Sequence, residues 1–225
     1  MRTGTSVEAG PAMGLRESKK YETRQLISDH ATRLFMEKGF EATTIADIAV
    51  ASRVAKKTVT NYFARKEDLA LDHQGEFVAG LARAVAGRGV GESALAALRR
   101  EFLAGVERRD PVIGFAGERF CRMIADSPTL TTRLRDLHDQ REEALAHVLA
   151  EEAGVAGDDF GTYVVAAQLG SVQRALFQRI MRLTLAGRSA DEVAAEVAED
   201  GRRVFGLLEA SFGDYAVRTA SRSSS

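Results

Sequence analysis

The sequence predicts an all-α fold, and three observations carry that reading. Apolar residues recur at spacings of three and four, no segment of useful length alternates with the period of a strand, and glycine- or proline-bearing breaks fall at helix-length intervals. With 225 residues and 45% hydrophobic content, the chain can build one large domain or two modest ones around a real core. Its net charge of −1 argues against a generally adhesive polyanion binder. A single cysteine, Cys121, excludes an internal disulfide framework and fits a reducing compartment. No apolar run approaches a membrane span and no signal-peptide core is present, so a soluble cytoplasmic protein with no membrane partner is expected.

Residues 1–18 are small, polar and aperiodic and read as a disordered arm, within which Met13 is a candidate natural start. A first helix over about 20–38 carries the stripe Ile27, Ala31, Leu34 and Phe35. Gly39 suits its C-terminal cap, and Phe40 can fold back on it. His30 beside the stripe reads as an ordinary surface or half-buried histidine.

Residues 44–66 have the pattern short helix, tight turn, short helix. Thr44 and Asp47 suit a capping pair, and Ile45, Ile48 and Ala49 make one apolar face. Ser52, Arg53 and Val54 supply the turn. In the second helix, 55–63, Val59, Tyr62 and Phe63 share one face and Lys56, Lys57, Thr60 and Asn61 the other. Two cations, a hydroxyl and an amide on one exposed face are groups that bond phosphates and base edges in a major groove. From Arg53 to Lys66 there are five basic residues (Arg53, Lys56, Lys57, Arg65, Lys66) and no acidic one. This is a helix-turn-helix DNA reader. Lys66 stands against the dipole of the helix it begins, which fits either a phosphate partner or a solvated side chain. Arg2 or Arg16 of the arm could reach a minor groove.

Leu26, Ile27, Leu34, Phe35, Gly39 and Phe40, followed by Thr43, Thr44, Ile48 and Ala49, the run 58–63 and Lys66, Glu67, Asp68 and Leu69, together resemble the amino-terminal domain of the tetracycline-repressor (TetR) family. The resemblance covers residues 21–71. Together with position it implies phosphate contacts at Thr44, Thr58, Tyr62 and Lys66, while the helix faces by themselves make Lys57, Thr60 and Asn61 the candidates for base-edge contact, with Lys56 able to reach either base or phosphate. Three positions depart from the family pattern: Arg53 where glycine is common, Ala55 where serine is common, and Ala64 where proline often stands. Either the turn forms without a positive φ or Arg53 tolerates one, and Ala55 forgoes about 1 kcal/mol of capping.

The expected domains are a reading head over 19–71, whose fourth helix runs from 66 to about 86, a linker at 87–91, a ligand-binding and dimerisation bundle over 87–215, and a disordered tail over 216–225. Bundle helices are expected at about 92–108, 112–126, 128–153, 159–186 and 189–211, the last opened by a Ser189/Glu192 capping box. In 159–186, Val165, Leu169, Val172, Leu176, Ile180 and Leu183 form one stripe, and Ala166, Gly170, Phe177 and Met181 a second. In 189–211, Val193, Val197, Val204 and Leu208 run beside the small residues Ala194, Ala198 and Gly201. The expected dimer face is Val165, Leu169, Val172, Leu176, Val193, Val197, Val204 and Leu208, as the resemblance also implies; a large monomeric core is the competing reading. Phe102, Phe115, Phe120, Met123, Phe160, Tyr163, Phe177 and Met181 are candidate pocket walls, with His138, Gln168, Gln173 and Arg174 able to orient a polar group.

The function expected is a sequence-specific DNA-binding regulator: a homodimeric repressor released from a palindromic double-stranded operator by a small-molecule effector. One alternative is an effector-independent regulator controlled by a protein partner; another is an all-helical enzyme or metal protein. The last has only His138, Glu142 and His147 to draw on. His147 lies on a different face, and no histidine pair stands one turn apart. Neither a cofactor, a metal nor catalysis is expected.

Overall fold

The computed structural model describes residues 15–219, and among them every regular element is helical. The chain divides into a unit ending at Ala70 and a second beginning at Leu71. The first holds α1 (Leu15–Lys38), α2 (Ile45–Ala51), α3 (Lys56–Tyr62) and the single turn α4 (Glu67–Ala70). The second holds α5 (Gln74–Ala86), α6 (Ala94–Arg108), a 3-10 turn (Pro111–Ile113), α7 (Glu118–Asp126), α8 (Pro128–Ala153), α9 (Phe160–Leu185) and α10 (Ala190–Phe212).

In the first unit the expected apolar residues close one core, with Ile27, Ala31, Phe35, Phe40, Ile48, Val59, Phe63 and Leu69 all buried. Gly39 adopts φ +87°, which only glycine takes at little cost, and the turn it makes brings Phe40 back within 5.0 Å of Phe35 between ring centroids. Residues 15–18, expected in the arm, are the first turn of α1, where Ser18 donates to Glu22 at 3.0 Å. The rest of the expected arm, with Arg2 and Met13, lies outside the described residues.

The continuous fourth helix expected over 66–86 is instead α4, a break at 71–73, and α5. Asp72, His73 and Gly75 are weak helix formers and stand together there. Residues 71–86 accordingly belong to the second unit. The expected linker at 87–91 is no linker either: Arg88 is 3% exposed and donates to the carbonyls of Val85 and Ala216 and to Glu152. Residues 216–219, expected in the tail, are tied in by the same clasp. Arg218 exchanges backbone bonds with Gly91 (2.8 Å) and Glu92 (3.1 Å). Residues 220–225 lie outside the described residues.

Within the second unit α8 packs between α5 and α9, and α10 packs on α6 and α9. Two glycines permit the close approaches. A Cβ on Gly170 would stand 2.3 Å from Cγ of Glu142, and one on Gly201 would stand 2.6 Å from Cε1 of Phe102. Gly201 thus fits α10 against its own chain's α6, not against a second copy. The helix expected from 112 begins only at Glu118, because Gly114 (φ +121°) and Gly117 (φ +79°) turn the chain between the 3-10 turn and α7. Leu169, Leu176, Val193 and Val197 of the expected dimer face are at most 3% exposed within this single chain. Their stripe is core, while Val165, Val172, Val204 and Leu208 are half-buried against it.

Candidate nucleic-acid interface and ligand cavity

Thr44 caps α2 as its sequence suggests. Its hydroxyl donates to Asp47 at 2.6 Å and accepts from the Asp47 N–H at 3.2 Å, while the Thr44 N–H donates to the same carboxylate at 2.9 Å. Hydrogen bonds from the Thr44 side chain and then its backbone hold the Asp47 carboxyl below the usual carboxylate range. The Thr44 hydroxyl proton is therefore spent inside the protein. α3 has no such start: Ala55 offers no side-chain cap. Arg53 takes φ 55°, so the turn needs the left-handed region and a non-glycine residue bears its strain.

α3 is anchored by Val59, 0% exposed, and by Phe63, over whose ring Arg24 stacks at 4.2 Å while donating to the Tyr62 carbonyl at 2.9 Å. On the outer side Lys56, Lys57, Thr60 and Asn61 are exposed, with Thr58 and Tyr62 half-buried at the margins. Thr60 returns its hydroxyl proton to the Lys57 carbonyl at 3.1 Å. Among the described residues neither Arg53, Lys56 nor Lys57 pairs with a carboxylate, so the face carries uncompensated positive charge. Lys66 differs from both readings offered by the sequence. Its ammonium donates to the carbonyls of Phe40 (2.9 Å) and Thr43 (3.1 Å) and lies 4.2 Å over the Phe40 ring, so its partner is internal. It pins the turn after α1, which leaves one N–H for any phosphate.

The second unit holds a half-open cavity of about 490 Å³ between α5, α6, the 3-10 turn, α8 and α9. Of the twelve candidate pocket residues, Phe102 and Gln173 line it. Phe160 and Tyr163 are 76% and 52% exposed and Gln168 is exposed, because α9 turns that side outward. Phe177 and Met181 pack with Phe77 and Leu137 in a separate apolar cluster. Met123 is buried, and Phe115 and Phe120 are half-buried, away from the cavity wall. The polar lining is Glu76, Arg83, Glu101, Arg108, Asp110, Arg141 and Gln173. Arg141 is the residue the sequence reading passed over. The signal was there, since Arg141 is in register with Leu134, Leu137 and Leu145 on the buried side of α8.

The metal alternative loses its three members to different tasks. His138 is buried edge-on between Phe77 and Phe177, with ring centroids 5.0 and 5.3 Å away. Burial, then the charges of Arg141 and Arg174, push its pKa down to about 3. Glu142 holds Arg174 at 2.5 Å, and His147 sits in solvent 3.4 Å from Glu151. Burial raises the Cys121 thiol to about 11, which keeps it protonated and inert. Among the described residues no cluster of three His, Cys, Asp or Glu could hold a metal, and no helix is long and apolar enough to cross a membrane.

An all-helical fold in two units, the first a helix-turn-helix with a bare cationic face, defines a DNA-binding regulator. The family model described as bacterial regulatory proteins, tetR family, matches residues 27–72. The HTH-type transcriptional regulator TcmR of Streptomyces glaucescens is 30% identical over 213 residues, covering 88% of this chain and 93% of that protein. The chain belongs to the tetR family. Among solved structures, a TetR-family regulator of Syntrophomonas wolfei is 19% identical, covering 83% of this chain and 96% of that one, with a TM-score of 0.54. NalD of Pseudomonas aeruginosa, the secondary repressor of the MexAB-OprM multidrug efflux pump, is 20% identical, with 81% and 96% covered and a TM-score of 0.52. At those identities the likeness is one of fold.

Proposed function

We propose that this tetR-family regulator is a repressor that binds a palindromic operator as a homodimer and leaves it when a small molecule fills the cavity of the second unit. The observation that carries the reading is the outer face of α3, where Lys56, Lys57, Thr60 and Asn61 stand exposed with no internal carboxylate to neutralise them. Lys57, Thr60 and Asn61 read base edges, and Lys56 reaches base or phosphate. Thr44, Thr58, Tyr62 and Lys66 line the phosphate side, Thr44 as the cap that fixes the start of α2 and Lys66 through its one unspent N–H.

A seven-residue helix reads too few bases to select one site, and a two-fold dimer doubles the reading by placing two such helices about 34–36 Å apart in successive major grooves. The dimer face is taken from the residues of α9 and α10 that the single chain leaves uncovered. Phe160, Tyr163 and Val164 of α9 and Leu207 of α10 are exposed apolar residues. Val172 and Val204 flank a cleft between the two helices that Ala175, Arg179, Asp200 and Arg203 also line.

The cavity favours a small effector over control by a protein partner. Its wall includes Glu76, Gly80 and Leu81 of α5, and α5 begins three residues after Leu71, where the second unit starts. A ligand that moves α5 acts close along the chain to the reading head. Moving occupancy from 1:99 to 99:1 asks about 5.5 kcal/mol of preference for one conformation. Footprinting on the chain's own promoter region, with sedimentation of the free protein, tests the reading. A dimer protecting two related half-sites supports it, and a monomer or the absence of any protected palindrome contradicts it.

A further inference from the structure

Arg141 is a buried cation for which DNA binding has no use. It is 5% exposed on α8, and its Nε has no hydrogen-bond partner. Among the described residues no carboxylate or carbonyl receives any of its N–H groups. Its guanidinium carbon lies 4.6 Å from the centroid of the Phe77 ring. Burial lowers its pKa to about 10, against the opposing pull of Asp110 and Glu142, so the group remains a cation. A buried cation without a partner is costly, and native interiors ordinarily pair it.

The space in front of Arg141 is built for a partner. Gly80 of α5 faces the guanidinium, and a Cβ there would stand 3.6 Å from Nη2. Gln173 of α9 lines the same cavity, is 5% exposed, and makes no side-chain hydrogen bond among the described residues. The carboxylates in the wall are engaged elsewhere. Asp110 accepts from the Val112 N–H at 2.9 Å and faces Arg108 at 3.5 Å, and Glu101 holds Arg108 at 3.0 Å. The remaining wall is apolar, with Leu81, Leu98, Phe102 and Ile113. A volume of about 490 Å³ accommodates one ligand of ordinary metabolite or drug size.

We infer that the ligand of this cavity is a small organic anion whose carboxylate-like group is held by the Arg141 guanidinium, with the Gln173 amide as a second donor and an apolar body against Leu98 and Phe102. The inference rests on the ligand-responsive reading above and names the chemistry that reading left open. The guanidinium fork matches a planar carboxylate with two parallel N–H bonds, which a neutral amide cannot reproduce.

The test titrates the full chain by calorimetry with 2-naphthoate, anthracene-2-carboxylate and decanoate, each beside its primary amide, and repeats the titrations with Arg141→Met and Arg141→Lys. At least one acid binds the wild type about tenfold or more tighter than its amide. Arg141→Met removes that preference by weakening the acid more than the amide, and melts no lower than the wild type without ligand. Arg141→Lys, which keeps the charge and the fold, weakens the acid alone. No acid preference in the wild type overturns the inference, as does a preference that survives undiminished in Arg141→Met. Release of the operator is read in parallel by fluorescence anisotropy. An Arg141-dependent acid that leaves DNA binding untouched supports the anion site and removes the ligand-release reading. A neutral compound that releases DNA from Arg141→Met as well as from the wild type does the reverse.

Discussion

Among the described residues Lys57 on α3 and Arg141 on α8 are both cations with no carboxylate partner, one in water and one in the interior. For Lys57 the lack of a partner costs little, because solvent satisfies the ammonium until DNA displaces it. For Arg141 it costs stability for as long as the cavity holds no anion. A reading head can therefore assemble its chemistry on one short exposed helix, while a ligand site must distribute its chemistry over several packed helices that bear the strain together. α3 gathers its face from residues 56–61; the cavity gathers its wall from residues 76 to 173.

The contrast can be broken first from the interior side. Gly201→Val forces a side chain into the space of Phe102 Cε1 and is expected to cost about 1–3 kcal/mol in urea unfolding, with the α3 face unaltered in the folded fraction. His138 gives the interior a pH limb. Its folded pKa, about 3, lies below the unfolded value, so the unfolded chain binds the proton more readily and stability falls as pH drops below the unfolded pKa. Between pH 7 and pH 5 that loss is about 2 kcal/mol, and it is absent from the unfolding curves of His138→Gln.

Lys66→Met tests the exterior side. If the ammonium chiefly pins Phe40 and Thr43, the substitution lowers the stability of the first unit by about 1–2 kcal/mol and leaves the salt dependence of DNA binding unchanged. A phosphate role flattens the slope of log affinity against log salt by about one charge instead. Ala55→Ser, which gives α3 the cap that α2 already has, is expected to add about 0.5–1 kcal/mol to stability without weakening operator binding.

The reading head was legible because its determinants are local. A capping box needs only Thr44 and Asp47, a helix face only residues three and four apart, and a glycine turn only Gly39 and Phe40. What the sequence hid were pairings across distance. Nothing near Lys66 announces that its ammonium reaches the carbonyls of Phe40 and Thr43, and nothing near Arg88 announces Ala216 and Glu152. In the second unit, long helices that are apolar on two sides leave open which side meets its own chain. Leu169, Leu176, Val193 and Val197 suited a second copy as well as they suit the core they occupy. Aromatic residues were equally ambiguous markers of a pocket: Phe160 and Tyr163 face outward, while the cavity is lined by an arginine in register with leucines.

The central claim is that α3 reads bases rather than merely clinging to phosphate, and Asn61→Ala tests it most directly. Its affinity for the footprinted operator and for random duplex is measured at one salt concentration beside the wild type. The account predicts a loss of about 1–3 kcal/mol per half-site on the operator with random DNA unchanged. An equal loss on both would contradict it.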